Sequence, residues 1–241
     1  MNMKEFEIKK LNKRWLLFDP ALMKNPCEEY FSCAAMKQKN ALTGSAGGRG
    51  ETCFYRAENS IWALRHYLRG GLVAKLLSDQ YFGLRLKNTR AWKEWHLLRQ
   101  MVALRLPVPR PVAASVSKTF LFYRADLLTE YIEQTKTLAE ILQADALPAE
   151  LWHNIGHCIR QFHDNKVYHS DLNAKNIMLD QQQKVYLIDF DQCEFRSRDN
   201  WKIKNLLRLK RSLDKFQHKL KVFNFNEQAW QDLLAGYDGK A

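Results

Sequence analysis

Apolar positions along the chain change period several times, and each change predicts an element. Residues 52–56 (Thr-Cys-Phe-Tyr-Arg) and 61–68 read as strands, and a Gly70-Gly71 turn follows the second. Just before them, residues 43–50 hold four of the ten glycines, which predicts a hairpin with a glycine-rich loop at its entrance. From 89 to 106 the spacing becomes helical, with Trp92, Trp95, Leu98, Val102 and Leu106 in phase. Pro107, Pro109 and Pro111 then stop the helix and impose extended chain. Residues 119–132 are apolar and aromatic with strand character, and 151–164 form a helix with Leu151, Ile155, Ile159 and Phe162 on one stripe. Two short apolar strands, 176–179 and 185–190, are joined by the polar loop 180–184, and 194–241 read as helical. Residues 1–40 carry only short apolar runs such as Trp15-Leu16-Leu17-Phe18 and predict nothing definite. Strands first and helices later predict an α+β chain of two lobes, about 1–132 and about 133–241, with a ligand cleft between them.

Composition narrows the class. A chain of 241 residues that is 46% hydrophobic and 27% charged builds a core and is not disordered. The formal charge of +12 calls for an anionic partner without saying which. No apolar run approaches the ~18 residues that span a bilayer. The opening residues, Met1 to Glu7, lack the apolar stretch and small-residue cleavage site of a secretory signal. The five cysteines (27, 33, 53, 158 and 193) form no Cys-x-x-Cys pair and no zinc-spaced cluster, so free, mostly buried thiols are expected.

Chemistry concentrates in Val167-Tyr168-His169-Ser170-Asp171-Leu172-Asn173-Ala174-Lys175-Asn176, followed by Leu187-Ile188-Asp189-Phe190-Asp191. Two acids and an amide brought to the mouth of a hairpin suit magnesium and phosphate, because magnesium takes oxygen ligands and keeps only one or two protein carboxylates. The third group is then free to orient a hydroxyl.

This His-x-Asp with Asn five residues on, then strand, then Asp-Phe, resembles the catalytic and metal loops of the protein-kinase-like fold. The resemblance covers about residues 40–195, implies ATP and Mg2+, and assigns roles. Asp171 would be the catalytic base, and Asn176 and Asp189 would hold magnesium. Gly47, Gly48 and Gly50 stand where the fold has its phosphate-covering loop. Ala63 and Arg65, two apart on a strand, would face adenine and the α- and β-phosphates, with Lys75 as the rival cation. Glu94 would pair with that cation, and the segment Glu130 to Ile132 would read adenine through its backbone. His169 would brace the loop. Lysine sits at Lys175, four after Asp171, where protein kinases carry theirs two after; the roles of Lys175 and Asp191 stay open.

Finer features, in the runs 64–75, 189–196 and 205–213, resemble the lipopolysaccharide kinases of Gram-negative bacteria. That resemblance implies a peripheral enzyme at the cytoplasmic face of the inner membrane. Its acceptor would be the 4-hydroxyl of 3-deoxy-D-manno-octulosonic acid (Kdo) on a Kdo-bearing lipid A precursor. A heptose kinase, a protein or other small-molecule kinase, and a kinase-fold adaptor for lipid or nucleic acid are the alternatives. Only 52 residues follow Asp189, short for the peptide-holding segments of a protein kinase. From 196 to 221 there are ten Lys or Arg against two Asp or Glu, and Leu206, Leu209, Leu213 and Leu220 suggest one apolar stripe beside them. Such a basic segment suits an anionic membrane surface. The nearby aromatics form no stacking pattern, so no nucleic-acid partner is expected.

Overall fold

The computed structural model describes residues 6–46, 52–67, 81–82, 85–119 and 122–239. The chain forms two compact units, Met1–Gln100 with Pro109–Tyr131, and Met101–Val108 with Ile132–Ala241. The segment 101–108 therefore belongs with the second unit, although it precedes the boundary near 132 that the sequence suggests.

Among the described residues the first unit is a sheet that carries two α-helices. Its strands are β1 (Glu7–Leu11), β2 (Arg14–Phe18), β3 (Leu42–Ala46), β4 (Thr52–Ala57), β5 (Ser60–His66), β6 (Tyr81–Phe82), β7 (Pro111–Thr119) and β8 (Phe122–Glu130). They pair antiparallel in the order β1-β2-β7-β8-β5-β4-β3, with β6 on β8. Alternation decides which face each residue takes. Trp62 and Leu64 of β5 join Tyr55, Phe18, Leu16 and Leu128 in the core, which leaves Ala63 and Arg65 on the opposite face. A short helix α1 (Cys33–Gln38) starts at Ser32, whose side chain accepts from the Ala35 amide. Helix α2 (Arg90–Ala103) buries Trp92, Trp95, Leu98 and Met101.

Three readings of this unit need correction. The run 15–18, from which the sequence predicts nothing definite, is an interior strand paired with β1 on one side and with β7, about a hundred residues away, on the other. Gly44 lies inside β3 rather than in a loop, while Gly47, Gly48 and Gly50, like Lys75, lie outside the described residues. The cysteines are not all free: Cys33 is disulfide-bonded to Cys53, tying α1 to β4. Cys27, Cys158 and Cys193 are not disulfide-bonded, and burial pushes the Cys158 thiol up to about 12.

The second unit holds β9 (Lys136–Thr137), α3 (Leu138–Ala144), α4 (Ala149–Asp164), β10 (Val167–Tyr168), β11 (Ile177–Leu179), β12 (Val185–Leu187), β13 (Glu194–Phe195), α5 (Lys202–Lys219) and α6 (Glu227–Asp238). Thr137 and Glu140 form a capping box that starts α3. Helix α4 buries Leu151, Trp152, Ile155, Ile159 and Phe162. The β11–β12 turn is closed by Asp180, whose Oδ1 accepts from the amides of Gln182 and Lys184. Helices α4 and α6 cross at two glycines. A Cβ on Gly156 would lie 2.0 Å from the Leu233 carbonyl oxygen, and one on Gly236 would lie 2.2 Å from that of His153.

Helix α5 departs from the sequence picture. Leu206, Leu209 and Leu213 are core residues, and Leu220 stands past the helix end. The exposed apolar residues of α5 are instead Ile203 and Leu207. No described helix is long and apolar enough to cross a membrane.

Candidate functional site

The loop between β10 and β11 is held from below by its own backbone and side chains. His169 is 2% exposed. Its Nδ1 accepts the Asp171 amide at 3.2 Å, so the ring proton resides on Nε2, which donates to the Ile188 carbonyl at 2.9 Å. Burial lowers the His169 pKa, consistent with a neutral ring serving as a brace. The Asn176 and Asn173 amides both donate to the Asp171 carbonyl at 2.9 Å, and Asn173 Oδ1 accepts the Lys175 amide at 2.8 Å. These bonds fix the main chain and leave the Asp171 carboxylate half-exposed. Arg208 of α5 reaches it, donating from Nη2 to Oδ1 at 2.5 Å. Partial burial pushes the Asp171 pKa up, but the Arg208 hydrogen bond and charge outweigh it and hold the group below the usual carboxylate value.

The β11–β12 hairpin places Asn176 just before its first strand and Asp189 just after its second, at the same open end. Asn176 is 8% exposed, and its carbonyl accepts the Ile188 amide at 3.0 Å, one residue before Asp189. Asp189 adopts a left-handed backbone, φ 64, which turns the chain sharply out of the strand. Phe190 then drops into the core against His169 and Phe162, at 4.8 Å and 5.9 Å between ring centroids. Ser170 Oγ donates to the Asp191 carbonyl at 2.8 Å, closing the two loops on each other. Among the described residues no group of three or more His, Cys, Asp or Glu side chains makes a self-sufficient metal site. One amide oxygen and one carboxylate fit a magnesium ion that brings phosphate oxygens with it, rather than a zinc centre.

A buried polar chain supports this loop and was not anticipated. Tyr237 of α6 donates to His163 Nδ1 at 2.8 Å, His163 Nε2 donates to Asn205 Oδ1 at 3.1 Å, and Asn205 Nδ2 donates to the His169 carbonyl at 2.7 Å. Burial pushes the His163 pKa down to about 4, against the Asn205 bond that favours the charged ring. The sequence carried one signal for it: Asn205 is a polar residue on the leucine-lined face of α5.

In the first unit Arg65 makes an ion pair with Glu94 of α2, which is 3% exposed. Tyr67 completes the group, donating to Glu94 Oε2 at 2.6 Å and accepting from Arg65 Nη2 at 3.1 Å. Burial, then the neighbouring Glu94 charge, raises the Tyr67 pKa well above its ordinary value, so it remains a donor. Ala63 lies beside Arg65 on the same face and pairs across the sheet with Phe54 and Thr129. At the end of β8 the Glu130 amide donates to the Arg110 carbonyl and the Tyr131 amide to that of Ile61, both at 2.8 Å. In the second unit the Ile132 carbonyl accepts from Thr135 Oγ1 at 2.9 Å. Sequence reasoning named Arg65 and Glu94 but missed Tyr67 and Arg208.

The chain is similar to known proteins over most of its length. Residues 34–237 match the profile of the "lipopolysaccharide kinase (Kdo/WaaP) family". A protein of Haemophilus influenzae named 3-deoxy-D-manno-octulosonic acid kinase is 45% identical over 217 residues, covering 87% of this chain and 90% of its own. Proteins of the same name from Photobacterium profundum and Vibrio vulnificus are 43% and 40% identical, covering 92% and 93% of this chain and 93% and 95% of their own.

Proposed function

The chain belongs to the lipopolysaccharide kinase (Kdo/WaaP) family, and from that premise we propose that it transfers the γ-phosphoryl group of ATP to the 4-hydroxyl of Kdo on a Kdo-bearing lipid A precursor. Family membership makes it an ATP-dependent phosphotransferase with a two-lobed, kinase-like α+β fold. The observation that carries the acceptor is the 45% identity, over 87% of this chain, to a kinase named for that sugar acid.

The residues then take these parts. Asp171 accepts the hydroxyl proton as the acceptor oxygen bonds to the γ-phosphorus. The bond from that phosphorus to the β–γ bridging oxygen breaks, ADP leaves with the electron pair, and the proton passes on to water. Asn176 and Asp189 hold magnesium, which when bound neutralises the phosphate charge that builds up in transfer. Their placement at the open end of one hairpin, Asn176 just before β11 and Asp189 two residues after β12, supports this pairing. Arg65 takes phosphate oxygens through its planar fork and is aimed by Glu94 and Tyr67. Ala63, a small residue on the Arg65 face, leaves room for the adenine ring, whose edge meets the Glu130 to Ile132 backbone. The role of phosphate-covering loop falls by the family resemblance to Gly47, Gly48 and Gly50, which lie outside the described residues.

The enzyme works at the cytoplasmic face of the inner membrane, held by its basic C-terminal segment. The exposed Ile203 and Leu207, among cations of α5, support that docking better than the buried leucines.

The test is transfer of labelled γ-phosphate to Kdo-bearing lipid A precursor in anionic vesicles, to the precursor without Kdo, and to a generic protein, each with and without magnesium. Label confined to the Kdo lipid and requiring magnesium is expected, with enzyme sedimenting with the vesicles. Asp171→Asn and Asp189→Ala abolish transfer while melting close to the wild type. Label on protein, or full transfer by either variant, refutes the assignment.

A further inference from the structure

We infer that Arg208 is the residue that reads the acceptor's carboxylate, exchanging its contact with Asp171 for the acid group of the sugar as the hydroxyl arrives. The inference rests on the proposed function and adds the acceptor-binding element that the function leaves unnamed.

Three observations lead to it. The first is what Arg208 already holds. Its Nη2 donates to a carboxylate oxygen, that of Asp171, across 37 residues of sequence. A guanidinium binds carboxylates through a rigid fork of parallel N–H groups, and the contact with Asp171 uses Nη2 alone. An acceptor carboxylate presented in the plane of the fork can form two such bonds.

The second is what the base requires. An aspartate whose Oδ1 is engaged by a cation accepts a proton less readily than a released one. The loop has no substitute for Arg208: Asn173, two after Asp171, spends its side chain on the loop backbone, and Lys175 Nζ lies 5.8 Å from the Phe216 ring centre. A ligand that draws Arg208 away thus frees Asp171 in the same event that delivers the hydroxyl.

The third is the charge around Arg208. Lys204, Arg208, Arg211 and Lys215 recur at helical spacing and are all exposed. Among the described residues Lys204, Arg211 and Lys215 have no acidic side chain within ion-pair distance. Lys219 extends that row by one more turn, whereas Lys202 is paired with Asp164 and Asp199, and Lys210 with Asp214 and Glu227. The face that carries Arg208 is therefore the electropositive one, complementary to an acidic glycolipid.

The chemistry of the acceptor matches. A 3-deoxy-octulosonic acid carries its carboxyl at C1 and the reacting hydroxyl at C4, a few bonds apart. One sugar residue therefore presents both groups together, the hydroxyl to Asp171 and the carboxylate to the arginine beside it.

The experiment compares wild type, Arg208→Gln and Arg208→Lys on two acceptors: the Kdo-bearing lipid and the same lipid with the sugar carboxyl converted to its methyl ester. The wild type is expected to lose at least tenfold in kcat/KM on esterification. Arg208→Gln should be slow on both, with the ratio between them near one, and Arg208→Lys should keep part of the preference because it retains charge without the fork. Free sugar acid should compete with the lipid better than inorganic phosphate does, and only where residue 208 is cationic. Melting curves establish that both variants fold. A wild type that treats acid and ester alike overturns the inference, as does an Arg208→Gln enzyme that still prefers the acid. A rise confined to the KM for ATP would assign Arg208 to the nucleotide and also overturn it. Failure of the wild type to phosphorylate either lipid refutes the proposed function itself, and the inference falls with it.

Discussion

Alanine in place of Gly156 separates two opposing effects on one helix. In an unencumbered helix interior the change stabilises by about 1 kcal/mol. On α4 the new Cβ would sit 2.0 Å from the Leu233 carbonyl oxygen and 2.6 Å from the Tyr237 amide nitrogen, where ordinary contact begins at 3.4 Å. Both obstacles are backbone, so no rotamer change relieves them, and α6 must withdraw by the difference, 1.4 Å, at that point. A radial gap of ~1 Å forfeits up to half of each dispersion contact it opens. Leu233, fully buried, and Trp230 lie on the face that would lift. Overpacking of this kind costs about 1–3 kcal/mol and sometimes more. With backbone as the obstacle, a net loss of about 2–4 kcal/mol is expected, a drop in Tm on the order of 5–15 °C for a chain of this size. Because Tyr237 rides on α6 and bonds to His163, transfer activity should fall as well. The assay is thermal melting by circular dichroism beside labelled phosphate transfer. Gly44→Ala is the control, since its Cβ would meet the Phe54 ring at an ordinary 3.5 Å. A Gly156→Ala protein melting at or above the wild type would refute the reasoning.

Two further outcomes follow from the buried polar groups. His163 has its pKa lowered from 6.5 to about 4 in the fold, so the unfolded chain binds the proton more readily; stability is full above 6.5 and is lost as pH falls from 6.5 towards 4, by about 3 kcal/mol. Urea unfolding at a series of pH values should show that slope, reduced but not abolished in His163→Gln because His169 is shifted in the same direction; equal stability at both ends of the window would contradict it. Arg65→Met leaves the buried Glu94 carboxylate without its arginine, and should cost ~3 kcal/mol with loss of nucleotide binding. Adding Glu94→Gln should recover most of the stability, read by urea unfolding, without recovering nucleotide binding, and recovery of binding would show that Arg65 has no part in it.

The elements legible in the sequence were those specified locally. Helix α4 follows from the spacing of its own apolar residues, and the β11–β12 hairpin from two apolar runs about a polar turn. What escaped depends on partners distant in the chain. The run 15–18 sits inside the sheet because 113–116 pair with it on the side away from β1, and Gly44 reads as loop until Phe54 is opposite it. The leucines of α5 have the period of an amphipathic helix, but which face is inward is decided by what packs there. Cys33 and Cys53 are 20 residues apart, a separation that carries no pairing signature. The order His169, Asp171, Asn176, Asp189 was legible because those residues lie on one local hairpin and the loop that enters it. Arg208 arrives from another helix, and no spacing encodes that.

The hydrogen-bonded chain from Tyr237 to His169 also bears on how the protein is born. The ribosome makes residues in order, and domains condense as their parts emerge. Asp171, Asn176 and Asp189 are translated well before Tyr237, so the loop they occupy exists for a time without its last support. Its carbonyl anchor at His169 can be taken up by Asn205 early, but His163 acquires its second partner only when α6 is made and docks at the Gly156–Gly236 crossing. Support of this loop is thereby completed only once α6 has been made, and a nascent chain carries the residues proposed for phosphoryl transfer before that support is in place.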